Sequence, residues 1–147
     1  MIGTMTPFTL ELVPGDFAVW KLPADAPLPD EPRAELWSVT RTAQELSIVG
    51  PSSAVPTGVE VEGGWRALRV MGTLDFSLTG ILAGLTRSLA ASEVSVFALS
   101  TYDTDWLLVR AMALGAARSA LLEAGYGIRE ATDDGPPPGY GGGARDP

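Results

Sequence analysis

Along the first half of the chain the hydrophobic residues alternate with polar ones over short stretches. Phe8, Leu10 and Leu12 are separated by Thr9 and Glu11, the period-two pattern of a half-buried strand, and Pro14-Gly15 predicts its end. Residues 17–22 predict a second short strand. Pro23, Pro27, Pro29 and Pro32 then remove four backbone donors and predict an irregular loop. Residues 36–41 and 46–49 predict two strands joined as a hairpin by Thr42-Ala43-Gln44-Glu45. Pro51, Pro56, Gly58 and Gly63-Gly64 mark a seam.

Beyond the seam the period changes. Residues 65–71 predict a strand, with Leu68 and Val70 on one face and Ala67 and Arg69 on the other. Ser77 is a fitting N-cap for a helix running to Ala91, on which Leu78, Ile81, Leu82, Leu85 and Leu89 form one stripe. Residues 94–100 are apolar on both faces, the pattern of a central strand. Residues 106–109 predict the next strand, and residues 111–124 a second helix with Leu114, Ala117 and Leu121 inward and Gly125 as its stop. Residues 126–129 predict a last strand. The order β-α-β-β-α-β is that of an α+β, ferredoxin-like sandwich, one sheet with two helices on one face.

Residues 38–49 overlay residues 98–109 without gaps, strand-turn-strand on strand-turn-strand, Thr40 meeting Ser100 and Glu45 meeting Asp105. Identity is low, so either the first half is a degenerate copy of the second or two hairpins resemble each other by chance. The organisation expected is an N-terminal strand-rich module over 7–62, a C-terminal βαββαβ module over 63–130, and a tail over 131–147. The tail's Pro136-Pro137-Pro138 and Gly141-Gly142-Gly143 bury too little to offset ordering entropy, which predicts disorder.

Composition narrows the chemistry. The 147 residues are 46% hydrophobic, enough for a real core, and carry 10 basic against 18 acidic side chains, a formal charge of -8. Lys21 is the one lysine. A nucleic-acid backbone or an anionic membrane would be repelled by that balance, so neither is expected as a partner. Cysteine and histidine are both absent; triads built on histidine and zinc sites built on His or Cys are excluded within one chain, and a reducing cytoplasm is compatible. No apolar run approaches the ~20 residues that span a bilayer. Asp103 and Asp105 are too few for a metal site. No P-loop is present, because Gly63-Gly64 is followed by Trp65. No catalytic residue, metal or cofactor is expected, and the chain is read as a non-enzyme.

Phe76-Ser77-Leu78-Thr79-Gly80-Ile81 after a strand, Ser100-Thr101-Tyr102-Asp103-Thr104-Asp105 at a strand turn, and Ser38-Val39-Thr40-Arg41-Thr42 upstream together resemble the small bacterial ACT-domain proteins. These in turn resemble the arginine-sensing CASTOR proteins. The resemblance covers residues 8–125. It implies tandem ACT-like modules, the first degenerate, in a regulatory homodimer that holds an amino acid at a module interface and is read by a protein partner. It places the ligand-binding positions at Asp75, Gly80, Ile81, Thr101, Tyr102 and Asp105. Leu78 stands where the arginine sensors carry an acidic residue, which disfavours arginine as the ligand.

The residue chemistry is compatible with that role. A helix opening at Thr79-Gly80-Ile81 presents unpaired N–H groups to a carboxylate. Asp105 offers a carboxylate to an ammonium, Thr101 a hydroxyl, and Tyr102 an apolar wall with a polar tip. Plainer readings stand beside these: Asp105 as a turn residue, and Gly80 with Gly84 as a close-packing face. The alternative function is an interaction or dimerisation module that has lost its ligand.

Overall fold

The structure, a computed structural model, describes residues 8–72 and 80–131. Seven strands, β1 (Thr9–Leu22), β2 (Ser38–Arg41), β3 (Leu46–Pro51), β4 (Glu60–Val70), β5 (Val96–Ser100), β6 (Asp105–Arg110) and β7 (Gly127–Glu130), form one sheet. Its order is β2-β3-β1-β4-β6-β5, with β7 parallel to the start of β1. Helices α1 (Ile81–Ala91) and α2 (Leu114–Glu123) pack together on one face. This is the α+β, ferredoxin-like arrangement expected.

The two predicted strands at the N-terminus are one. Pro14 and Gly15 do not end β1; they sit in an exposed bulge where its register against β4 shifts between Val13 and Phe17. Proline lacks only a donor, and a bulge already leaves that donor without a ladder partner. Gly15 at φ +96° and Gly64 at φ +76° occupy the left-handed region that a side chain disfavours, one on each of the two long strands. Gly63-Gly64 therefore lies inside β4, not at a seam.

The second correction concerns residues 94–100, expected in the centre of the sheet. β5 is an edge strand, and β6, buried along Trp106, Leu107, Leu108 and Val109, takes the interior place. Val94 precedes the strand and belongs to the helix-side core, while Phe97 and Leu99 pack on the opposite face. Two environments in succession imitated a strand buried on both faces. The second helix begins later than expected, after a 3₁₀ turn at Ala111–Ala113. The proposed N-cap Ser77, Leu78 and the tail from residue 132 lie outside the described residues.

The internal overlay is present but slipped by one residue. β3 and β6, and the 3₁₀ turns Ser52–Ala54 and Ala111–Ala113 that follow them, are each 59 residues apart, as 105 is from 46. Both hairpins close alike: the Thr42 amide donates to the Glu45 carbonyl at 2.8 Å, and the Thr101 amide to the Thr104 carbonyl at 2.8 Å. A slip of one residue exchanges the two faces of a strand, so the ungapped overlay at 60 paired inward with outward positions. In the true register Phe17 lies opposite Pro51 and Trp65 opposite Arg110, and Phe17 and Trp65 lie opposite each other. The sheet therefore has a local two-fold through that pair. Its ion pairs obey it: Arg69–Glu11 at 2.6 Å on one side and Lys21–Glu60 at 3.4 Å on the other.

The two halves cover the helix-side face differently. In the second, Ile81, Leu85 and Leu89 of α1 and Ala117 and Leu121 of α2 close over Leu10, Leu12, Leu68, Val70, Leu107 and Val109. In the first no helix is present among the described residues. Trp20 and Ile48 are covered by Trp37 and by Ala54, Val55 and Val59, and the Trp37 ring lies so close to Gly50 that a Cβ there would meet it at 2.6 Å. On the opposite face Val13, Phe17, Val49, Trp65, Ala67, Trp106 and Leu108 form a second core, closed in part by Leu36 from the loop after β1. A row of cross-strand neighbours there carries charge. Arg129, Glu11, Arg69 and Trp106 follow one another across β7, β1, β4 and β6, and the Arg69 guanidinium stands 5.6 Å from the Trp106 ring centre.

Leu85→Ala is expected to cost about 2–5 kcal/mol in denaturant unfolding, because the fully buried side chain leaves a cavity; Leu82→Ala, partly buried, costs less. Glu11→Gln is expected to cost about 3–5 kcal/mol, since it breaks a buried ion pair with Arg69 by neutralising one member. The same measurement on Glu130→Gln, whose partner is the half-exposed Arg118, should show under about 1 kcal/mol.

Candidate functional site

The chain leaves β4 at Val70 and enters α1 at Gly80, while β5 turns into β6 at residues 101–104. The end of β4 and the β5–β6 turn lie at the same end of the sheet, because β4 runs antiparallel to β6 beside it. One hydrogen bond ties them. The Thr104 hydroxyl, buried, donates to the Val70 carbonyl at 2.6 Å, fastening the hairpin tip to the last residue of β4. Thr104 was not among the residues singled out from sequence. A threonine in a turn has no periodicity to betray its burial, and only the cross-strand register brings it beside Val70.

Of the six expected binding residues, five can be placed. Asp75 lies outside the described residues. Gly80 is the N-cap of α1, at φ +79° and ψ 0°, exposed, with its carbonyl accepting the first helical bond from the Gly84 amide at 2.9 Å. Among the described residues no side chain caps the helix, and its first turn has no acidic residue. The amides of residues 81–83 have no acceptor within the helix. Ile81 points the other way, into the helix-side core.

The hairpin is held by its own side chains. Thr101 Oγ1 accepts from the Thr104 amide at 3.3 Å, and Asp105 Oδ1 accepts a 2.6 Å bond from the Ser100 hydroxyl. Asp105 thus fills the turn role anticipated for it, with its second oxygen unspecified by that bond. Tyr102 is four-fifths exposed. Ile81 is thus packing, while Thr101 and Asp105 are held by bonds within the hairpin. Among the described residues no group of three His, Cys, Asp or Glu side chains could hold a metal ion, and no helix is long and apolar enough to cross a membrane.

Comparison with known proteins places this architecture. Residues 60–123 match the model of the ACT domain, a span running from the start of β4 to the end of α2. No curated protein matches the chain by sequence. Among solved structures, protein Atu0741 from Agobacterium tumefaciens superposes with a TM-score of 0.79 at 30% identity, over 87% of this chain and 96% of that one. Aspartate kinase from Clostridium acetobutylicum superposes at 0.58 and 14% identity, over 84% of this chain and 35% of the enzyme. The regulatory subunit of aspartate kinase from Thermus thermophilus superposes at 0.51 and 10% identity, over 75% and 93%. The last two share the fold. The chain carries an ACT domain over residues 60–123 and belongs to one family with the Agobacterium protein.

Proposed function

We propose that the protein is a non-catalytic regulatory sensor that holds an amino acid between the N-terminus of α1 and the β5–β6 hairpin, in a homodimer. What supports this reading is the start of α1, uncapped and acid-free among the described residues, together with the β5–β6 hairpin bearing Thr101 and Asp105, which Thr104 fastens to β4. A zwitterion needs a donor cluster for its carboxylate and an acceptor for its ammonium, and the helix start and the hairpin offer one each. Its likeness in fold to a regulatory subunit of aspartate kinase and its ACT domain support a regulatory role. The first half, residues 7–62, is read as the degenerate ACT-like module and residues 63–130 as the complete one. The protein is taken to act in the cytoplasm and to be read by a partner protein.

Tyr102 is four-fifths exposed in one chain, and a second copy would close over it. β5 is an edge strand with an unpaired side, and two copies joined there would bring the two hairpins toward each other. The same open edge favours a second reading, a dimerisation module without a ligand. An arginine ligand of the CASTOR type is disfavoured by Leu78.

A thermal-shift screen against the common amino acids separates the two. A ligand at 100 times its Kd adds about 2.7 kcal/mol and raises the midpoint visibly. The sensor reading expects a shift confined to one amino acid or a related few, lost in Asp105→Ala while the unliganded protein stays folded. A flat panel together with a dimer in sedimentation selects the second reading. A response unchanged in Asp105→Ala removes Asp105 from the site.

A further inference from the structure

The local two-fold is broken in one place. β3 ends at Pro51, opposite Phe17, and beyond it β7 continues alongside β1, pairing in parallel with residues 9–12. β6 ends at Arg110, opposite Trp65. Beyond it, beside residues 60–64 of β4, no strand lies among the described residues. All five of those residues are exposed, Val61 to 46%. The stretch that β7 fills on one side of the sheet is vacant on the other.

A cleft of about 560 Å³ marks the vacancy. Val19 and Phe97 give it an apolar floor continuous with the second core, and Glu45, Glu60 and Glu62 line it with carboxylates. Lys21 is the one basic residue of the lining. The symmetry also specifies a missing charge. On the filled side Glu11 lies between two arginines, Arg69 at 2.6 Å and Arg129 of β7 at 3.6 Å. On the vacant side Lys21 stands for Arg69 and Glu60 for Glu11, and no described residue stands for Arg129.

We propose that the open edge of β4 at residues 60–64 receives an extended, basic segment of a partner protein as an added strand, with a Lys or Arg set against Glu60 as Arg129 is set against Glu11. Strand addition satisfies the backbone groups of an edge, and alternate side chains give it specificity. Here one set enters the cleft over Val19 and Phe97. Side chains guard the edge meanwhile: Arg110 donates to the Gly63 carbonyl and Trp65 Nε1 to the Glu62 carbonyl at 3.1 Å. The incoming strand displaces the half-buried Arg110 arm, which also pairs with Glu62 at 2.9 Å and lies 4.0 Å from the Trp65 ring centre. A second copy presenting the same edge would set these carboxylates against themselves, in a chain of charge -8, so the occupant is a basic partner and not another copy.

The test is amide NMR of the full ¹⁵N-labelled chain titrated with two octapeptides, acetyl-(Lys-Val)₄-amide and acetyl-(Glu-Val)₄-amide. The lysine peptide is expected to shift the amides of residues 60–64 and slow their hydrogen exchange, and the glutamate peptide to leave them unchanged. Glu60→Gln should weaken binding by up to about fivefold, the range of an exposed ion pair, and Glu35→Gln, on the loop after β1, should not. Shifts spread over the acidic surface, equal loss in Glu35→Gln, or no change at residues 60–64 overturns the proposal. Edge amides that become protected with rising protein concentration alone also overturn it, in favour of a second copy. None of these readouts depends on an amino acid binding at the start of α1, so the two readings fail separately.

Discussion

Everything in this fold hangs on the antiparallel pairing of β1 with β4. Each is long enough to serve both halves: beyond the Phe17–Trp65 crossing, β1 joins β3 at one end and β7 at the other, while β4 borders β6. The bulges at Pro14–Asp16 and around Gly63-Gly64 are the price of that double duty. A strand of 11 or 14 residues that ran without interruption would accumulate twist, and the bulges adjust the register on each side of the crossing. The faces stay consistent as a result. Leu10, Leu12, Leu68 and Val70 remain under the helices while Val13, Phe17, Trp65 and Ala67 remain opposite.

Charge is arranged around the same crossing. Glu11 and Arg69 are 5% and 7% exposed, and a pair so buried gains little over an apolar pair of the same volume. Its role is better understood as register: a one-residue slip of β1 on β4 would turn Glu11 toward the helix-side core, away from Arg69, which would stay on the opposite face. The exposed pair at Lys21–Glu60 does the same job weakly. The helix-free first half compensates for its missing layer with indole area, Trp20 and Trp37 tilted at 58° with ring centres 5.8 Å apart, over a glycine whose missing side chain makes the room.

Much of this was legible in the order of residues. Alternation located six of the seven strands within a few positions, and the Leu85–Leu89 stripe located α1, because period and burial face are local properties. Proline at 14 misled, since a proline marks a lost donor and not whether the chain continues past it. Residues 94–100 misled because a loop valine and an edge strand drew on two different cores. The pairing of β7 with β1, the burial of Thr104 and the vacant flank of β4 were beyond reach, as each is a relation between residues far apart in sequence. The turn role of Asp105 was legible because turn chemistry is local, whereas the helix cap was expected at Ser77 and falls at Gly80. The exposure of Tyr102 was not legible, since it depends on how the hairpin leaves the sheet.

The partnership of Thr9 with Gly127 has a kinetic meaning. It closes a loop of nearly the whole chain, and such contacts are reached last and set the pace of folding. Until that contact forms, the start of β1 has one flank open. The acidic side chain at Glu11, in the middle of that waiting flank, keeps it from pairing with the wrong strand in the interval.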